Sequence, residues 1–177
     1  MTPPRIPAWV GDTLEPVDKL EVHQRGLRHL AVSVFVMADR DVLLQQRAFG
    51  KYHTPGLWTN TCCTHPNWEE DPLACARRRL DEEMGIRDLP LHHRGRVEYR
   101  ADVGGGLIEH EVVDIYLGRT TRDLVYSLNP AEVRAALWMD IDDLSREVMR
   151  RPERFTPWLE IYLENHRETI FGQKGAA

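Results

Sequence analysis

A chain of 177 residues, 42% hydrophobic and 29% charged, has the size and composition of one soluble globular domain. Its net charge of −5 argues against nucleic acid or an anionic membrane as the main partner, and no apolar stretch is long enough to span a bilayer. The N-terminus lacks the apolar run of a signal peptide, and two of the three cysteines are adjacent, where a mutual disulfide would be strained. We therefore expect a cytoplasmic protein with reduced thiols.

The first third of the chain predicts two strands and a long loop. After a proline-rich arm, the apolar run at 30–37 predicts a buried strand, and residues 42–47 predict a second strand after a turn. Residues 48–66 show no regular period and predict a loop. Loops of this length in compact domains are usually functional or disordered, and the cysteines and histidines of this one favour a function.

The next helix is indicated by its capping residues. Asp71 suits the N-cap, Pro72 the first helical position and Gly85 the left-handed position after the last turn. Beyond this helix, residues 97–101 and 107–117 predict two strands joined by a glycine-rich turn.

The C-terminal part adds a strand and two helices. The pattern predicts a short strand near 137–139, a helix from about Ile141 with Asp140 as its cap, and a last helix over 157–171. Strands and helices mixed around one core make an α+β fold, and we expect a single domain over 1–177.

Two glutamates are unusual in the strand predicted at 107–117. Because side chains alternate along a strand, Glu109 and Glu111 share a face with Leu107, Val113 and Ile115. Burying two carboxylates costs roughly several kcal/mol unless they are paired or bind a metal. The alternative, with both glutamates facing solvent, fits the pattern equally well.

Histidines add weight to a metal site. Together with the two glutamates, His23, His29 and His65 would make a nitrogen- and oxygen-rich site that suits zinc or manganese. Each histidine alone is more often a surface residue, and the spacing matches no zinc finger. Surface positions are expected for the remaining histidines, which are His53, His92, His93, His110 and His166.

Cys63 has three possible roles. It could be a small buried hydrophobic residue, a zinc ligand, or a reactive base if cations or a helix N-terminus lower its pKa. The helix that begins near Pro72 follows closely enough to contribute. Cys62 and Cys75 are interpreted as structural.

Four basic residues are scattered along the sequence, and solvated positions are the default for each. As a group lining one pocket they would bind a diphosphate, because arginine offers forked hydrogen bonds and lysine a point charge. They are Lys19, Arg47, Lys51 and Arg79.

The segment 56–66, which reads GLWTNTCCTHP, resembles the signature loop W-T-N-x-x-C-x-H-P of the type 1 isopentenyl-diphosphate delta-isomerase family. The histidine pair at 23–29, the tyrosine strand at 98–101, the E-x-E strand at 108–112 and the late tryptophan segment at 155–158 resemble family segments in the same order. The resemblance covers about 20–158, which leaves 1–19 as a flanking arm and 159–177 as a C-terminal helix.

This resemblance implies a Nudix-like mixed sheet flanked by helices. The Nudix box is partly retained, with Thr64 in place of its glycine and Glu70 at its first glutamate. Arg79 occupies the position of a glutamate that Nudix hydrolases use for metal binding. The reversal of charge argues against hydrolysis and fits an enzyme that holds a diphosphate without cleaving it.

The resemblance also implies two metal sites and an anion site. One ion, Mn²⁺ or Zn²⁺ (or Mg²⁺), would be bound by His23, His29, His65, Glu109 and Glu111. A Mg²⁺ ion would be held by Glu83 together with the diphosphate oxygens of the substrate. The diphosphate would be neutralised by Lys19, Arg47, Lys51 and Arg79.

The implied reaction interconverts isopentenyl diphosphate and dimethylallyl diphosphate in isoprenoid biosynthesis. Glu111, tuned by Tyr99 and the metal, would deliver a proton at one carbon. Trp158 would stabilise the carbocation, and Cys63 as a thiolate would remove a proton on the opposite face. Glu111 would then be both a metal ligand and an acid. It could serve in both ways if one carboxylate oxygen bound the metal and the other lay near Tyr99. The partner is a small prenyl diphosphate, bound by a monomer or weak homodimer.

Two rival hypotheses remain. A Nudix hydrolase that cleaves a nucleoside diphosphate would need a glutamate at position 79 and would not need the cysteine loop. A metal-stabilised binding protein would use Cys63 and His65 for a structural zinc, so metal loss would unfold the chain.

Overall fold

The computed structural model of the protein describes residues 4–172. At its centre lies strand β3 (Arg28–Ala38), which contains the strand predicted at 30–37. Its Phe35 packs in one apolar core and Val34 in another, on the other face of the sheet. The near-continuous apolar run of this strand follows from burial on both faces.

The strands predicted from their sequence patterns surround β3 and are longer than expected. Strand β4 (Asp41–Arg47) runs antiparallel to β3. Strand β8 (Ile108–Thr120) runs parallel to β3, and β7 (Leu91–Asp102) is antiparallel to β8. Strand β9 (Val133–Asp140) pairs with β4. The expected bounds 97–101 and 137–139 were therefore too short.

The segment 48–66 is not a loop throughout. Two short strands, β5 (Trp58–Thr59) and β6 (Cys62–Thr64), pair with β4 and β3. The loop prediction is wrong for these residues because strands of this length are too short to reveal an alternating pattern. Pairing with β3 determines the backbone position of Cys63.

The N-terminal residues, which were expected to form a flanking arm, form a hairpin followed by a helix. Strands β1 (Arg5–Val10) and β2 (Thr13–Asp18) pair antiparallel, and helix α1 (Lys19–Arg25) follows. The prolines of both strands, Pro7 and Pro16, obscured the pattern, although strands near a sheet edge tolerate proline. The hairpin positions α1 beside the sheet.

The helices agree with their capping signals. Helix α2 (Pro72–Met84) begins where Asp71 accepts a hydrogen bond from the Ala74 amide. Helix α3 (Ile141–Arg150) is capped by Asp140, as predicted. The C-terminal helix predicted as one piece is interrupted, because the backbone at His166 is not helical.

The last part of the chain comprises a single 3₁₀ turn (Pro152–Arg154), helix α4 (Pro157–Asn165) and helix α5 (Arg167–Phe171). Residues of α3, α4 and α5 share one core with the sheet, and α2 covers the second core on the other face. The described residues form a nine-stranded mixed sheet between helices, which confirms the α+β prediction. Within 4–172, no helix combines the length and hydropathy needed to cross a membrane.

Candidate active site

One cavity is lined by side chains that are far apart in the sequence, from Lys19 near the N-terminus to Trp158 near the C-terminus. Its walls are contributed by α1, by the end of β4 and the segment after it, by β6 and the residue after it, and by α2, β7, β8 and α4. The lining residues are Lys19, Arg47, Lys51, Tyr52, His53, Cys63, Thr64, His65, Arg79, Glu83, Tyr99, Glu109, Glu111 and Trp158. Of the site residues predicted from the sequence, only His23 and His29 are outside this lining, and both are fully buried against Glu109.

Sheet register explains why these residues meet. Residue Glu111 on β8 lies opposite His29 on β3 and opposite Tyr99 on β7. Likewise Cys63 on β6 lies opposite Ser33 on β3. Cross-strand partners have side chains close enough for contact, so strand pairing alone brings together groups that are far apart in sequence.

Three histidines and a glutamate form a compact cluster. The Nε2 atoms of His23, His29 and His65 lie 3.0, 3.3 and 3.8 Å from Oε2 of Glu109. Their ligand atoms all lie within 4.8 Å of one another. Glu109 is only 2% exposed, and Nδ1 of His65 is buried without a hydrogen-bond partner. Three imidazole nitrogens and a carboxylate oxygen fit a divalent metal.

In this cluster, hydrogen bonds between the glutamates and the histidines offset the effect of burial on their pKa values. Burial alone would raise the pKa of Glu109, but hydrogen bonds to the surrounding histidines outweigh it and hold the pKa well below its usual range. Burial disfavours the charged form of His29, yet its hydrogen bonds to Glu109 and Glu111 raise its pKa to about 9. The two carboxylates are therefore charged and need positive partners.

Glu111 divides its two oxygens between different neighbours. Its Oε1 atom lies 2.9 Å from Nε2 of His65, and its Oε2 atom accepts a hydrogen bond of 2.5 Å from the hydroxyl of Tyr99. Burial and the charge of Glu109 raise the pKa of Glu111, but its hydrogen bonds to His29 and His65 bring it below the usual value. One oxygen thus faces the histidines and the other faces the tyrosine.

The neighbours of Cys63 are mostly neutral. Its thiol donates to Oδ1 of Asn60 at 2.9 Å and lies 3.3 Å from Oγ of Ser33, which contacts the Tyr162 hydroxyl at 2.8 Å. Desolvation raises the pKa of Cys63 to about 12, and Glu111 adds to this effect. The hydrogen bonds of Cys63 with Ser33, Asn60 and Thr59, all neutral groups, oppose this rise. A thiol activated by cations or by the N-terminus of α2 stays a prediction from the sequence.

The four basic residues lie together. Burial and the positive charges of Lys51, Arg79 and Arg47 together lower the pKa of Lys19 to about 8, although Glu109 opposes them. Mutual repulsion of this kind is relieved by a polyanion. The cavity therefore concentrates positive charge of the kind that suits an anionic ligand.

Two acidic residues neutralise part of this basic group. Arg79 donates to Oε1 of Glu83 at 2.6 Å, and Glu83 also accepts from Gln45 at 2.9 Å. Glu132 pairs with both Lys51 and Arg79. The arginine at the position of a Nudix glutamate therefore contacts the glutamate that was predicted to bind Mg²⁺.

Trp158 forms an apolar part of the cavity wall. Its indole nitrogen donates to Oγ1 of Thr59 at 2.8 Å, and the guanidinium carbon of Arg47 lies 5.3 Å from the ring centre. The ring is therefore held in place beside the basic group.

Sequence reasoning missed several residues of the site. His53 was expected at the surface but is 5% exposed, and its Nε2 atom lies 3.0 Å from Oε1 of Glu109. Nothing in its local sequence marks it. Ser33 could have been noticed as a lone polar residue in an apolar run, whereas Glu132 and Tyr162 carry no such signal.

The other histidines are nearer the surface. Both His92 and His93 are exposed, as expected, and His110 and His166 are partly buried.

Solved structures resemble this fold at low sequence identity. A Deinococcus radiodurans protein superposes with a TM-score of 0.71 at 13% identity, covering 90% of this chain and 96% of its own. A MutT Nudix hydrolase from Burkholderia pseudomallei gives a TM-score of 0.60 at 23% identity, covering 77% and 96%. These similarities establish a Nudix fold.

Sequence comparisons define the family more closely. The Nudix domain model matches residues 27–159. Relatives from Roseobacter denitrificans and Cereibacter sphaeroides, each named isopentenyl-diphosphate Delta-isomerase, are 61% and 62% identical over 168 residues. These matches cover 95% of this chain and 96% and 95% of the relatives. The chain therefore belongs to the isopentenyl-diphosphate Delta-isomerase family, within the Nudix domain proteins.

Proposed function

We propose that this enzyme interconverts isopentenyl diphosphate and dimethylallyl diphosphate. The observation that carries the proposal is a single cavity lined by Cys63, by the Tyr99–Glu111 pair and by four basic residues. It joins two groups able to exchange protons with carbon to a site for a diphosphate. The relatives at about 60% identity bear the name of this activity.

The proton transfers follow from the two groups. In the forward direction, the carboxyl of Glu111 gives its proton to the terminal methylene carbon of the alkene, which leaves a tertiary carbocation. The face of Trp158 stabilises this cation, by roughly 0.5–2 kcal/mol. The thiolate of Cys63 then removes a proton from the carbon next to the oxygen-bearing one, and the double bond forms in its new position.

The resting protonation of the site suits the reverse direction. A thiol with its pKa near 12 is protonated, whereas the lowered pKa of Glu111 leaves a carboxylate. Cys63 then acts as the acid and Glu111 as the base. Each reverse turnover leaves Cys63 as a thiolate and Glu111 as a carboxylic acid. The forward reaction starts from this arrangement.

We propose that one Mn²⁺ or Zn²⁺ (or Mg²⁺) is held by the histidine cluster with both glutamates. When bound, the ion supplies positive charge that compensates two buried carboxylates and orients them. Support comes from the converging ligand atoms of His23, His29, His65 and Glu109.

The diphosphate end uses the other acidic and basic residues. Glu83 would share a Mg²⁺ ion with the diphosphate oxygens, since this ion favours a few carboxylates together with phosphate. Lys19, Arg47, Lys51 and Arg79 would hold the same oxygens and so orient the alkene. An arginine at position 79 favours retention of the diphosphate over its hydrolysis.

A proton-labelling experiment tests the activity. Incubation with isopentenyl diphosphate in heavy water, with Mg²⁺ and Mn²⁺, should give deuterium-labelled dimethylallyl diphosphate, detected by NMR or mass spectrometry. Release of inorganic phosphate without labelled product would instead favour the hydrolase hypothesis. The metal-stabilised binding protein predicts neither reaction. It would use Cys63 as a zinc ligand, whereas the ligand atoms that converge among the described residues come from His23, His29, His65 and Glu109.

We further propose that the enzyme works in the cytoplasm as a monomer or weak homodimer, without a nucleic-acid or membrane partner. Free cysteines and a net charge of −5 support this setting.

A further inference from the structure

We propose that His53 is a positioning residue that holds Glu109 in the orientation required by the metal site. The inference rests on the proposed function, because it assigns His53 a role toward the metal site described above. His53 contacts Glu109 at Oε1, whereas the three histidines of the cluster approach Oε2.

The two oxygens of Glu109 have separate sets of partners. His23, His29 and His65 approach Oε2, whereas Nε2 of His53 lies 3.0 Å from Oε1. A carboxylate only accepts hydrogen bonds, so Nε2 of His53 carries the proton and donates. Residues that hydrogen-bond to a metal-binding carboxylate fix its direction and tune its affinity.

The other ring nitrogen of His53 is also occupied. Nδ1 lies 3.0 Å from Oγ1 of Thr54, so the hydroxyl donates to it when the proton is on Nε2. The ring edge meets Trp158 with centroids 5.9 Å apart and Tyr52 with centroids 4.4 Å apart. The imidazole is therefore fixed on several sides.

The backbone around His53 is fixed as well. Arg47 donates to the carbonyls of His53 and Thr54, each at 3.2 Å. Thr54 has φ of +45°, a left-handed conformation that β-branched residues rarely adopt. This unusual backbone and the Arg47 contacts turn His53 into the cavity, so one segment connects the metal site with the predicted diphosphate site.

His53 acts on the ligand rather than joining the cluster. The atoms that converge within 4.8 Å come from His23, His29, His65 and Glu109, and His53 is not among them. Its single contact with the cluster carboxylate is the hydrogen bond to Oε1.

Mn²⁺ binding to the metal-free protein tests this role, using electron paramagnetic resonance to measure free Mn²⁺. His53→Gln retains a donor that reaches as far as Nε2, whereas His53→Asn carries the same amide on a shorter side chain. We expect His53→Asn and His53→Ala to weaken Mn²⁺ binding by about 10–100-fold, and His53→Gln to stay close to the wild type. The exposed His92→Ala serves as a matched control and should bind normally.

Each outcome decides a different point. If the wild type binds Mn²⁺ and all three His53 variants bind equally well, the positioning role is wrong while the metal site stands. If the wild type binds no Mn²⁺, the metal site itself fails and the role of His53 fails with it. Should His53→Ala not fold, as judged by circular dichroism, the Gln and Asn pair decides, since a role in packing alone predicts the same affinity for both.

Discussion

Two ionisable side chains of the cavity, Glu111 and Cys63, have pKa values shifted in opposite directions. Glu111 is surrounded by histidines and Tyr99, which hold its pKa below the usual value in spite of burial. Cys63 is surrounded by hydroxyls and an amide, and its pKa rises to about 12. Desolvation acts on both groups, so the charge of the neighbours decides which of them is ionised.

This contrast suits a reaction that needs one acid and one base at the same time. If both sides were lined by charged partners, both groups would be ionised and neither could donate a proton. Substitutions that remove Cys63, or that remove a hydrogen bond to Cys63 or Glu111, should therefore lower turnover in proportion to the interaction lost.

Replacing Cys63, whose neighbours are neutral, should have the largest effect on turnover. Cys63→Ser should lower turnover by roughly 10²–10⁴-fold, because a serine hydroxyl is far harder to ionise than a thiol. Mn²⁺ affinity should not change, since Cys63 lies outside the ligand cluster. Steady-state kinetics and Mn²⁺ titration check both points, and a parallel loss of metal binding would support the structural-zinc hypothesis instead.

Removing a hydrogen bond to Glu111 should have the next largest effect on turnover. Tyr99→Phe removes the hydrogen bond of 2.5 Å to Glu111 and should lower kcat by about 10–100-fold, as expected for a hydrogen bond to a charged group. Tyr116→Phe is the matched control, because Tyr116 does not line the cavity. Equal kcat values for the two variants would rule out a role of the Tyr99 hydroxyl.

Loss of a neutral hydrogen bond should matter less. Tyr162→Phe removes the hydroxyl that contacts Ser33, and Ser33→Ala removes the contact with Cys63. Each change should lower kcat by about 2–10-fold, since a neutral hydrogen bond contributes about 1 kcal/mol. The rate of thiol alkylation measured alongside kcat separates an effect on Cys63 from general damage, which would instead appear as a lower melting temperature.

The smallest effect is expected at the diphosphate end. Glu132→Gln removes the negative charge that pairs with Lys51 and Arg79. An anionic substrate then no longer competes with a carboxylate, so KM should fall by up to about fivefold with little change in kcat. A higher KM would show that Glu132 helps to bind the substrate, for example through the predicted Mg²⁺ ion.

Local features of the fold were predictable from the sequence. The apolar run of β3 and the cap residues Asp71 and Asp140 identified their elements correctly, because each depends on side chains close together in the chain. The N-terminal hairpin was missed because its prolines weaken the strand pattern, whereas its stability depends on tertiary contacts: pairing with β3 and an apolar cluster of Ile6, Ala8 and Val17 with Val22 of α1.

For the site, the sequence by itself identified the candidate residues, since the cysteine loop and the E-x-E strand can be read directly, and these residues line one cavity. Only the tertiary structure decided how they are arranged. The division of the Glu111 oxygens depends on strand register, and the contact of His53 with Glu109 depends on a loop that turns this one histidine inward. These contacts join residues distant in the chain, and no local preference encodes a distance that arises only when separate strands pair.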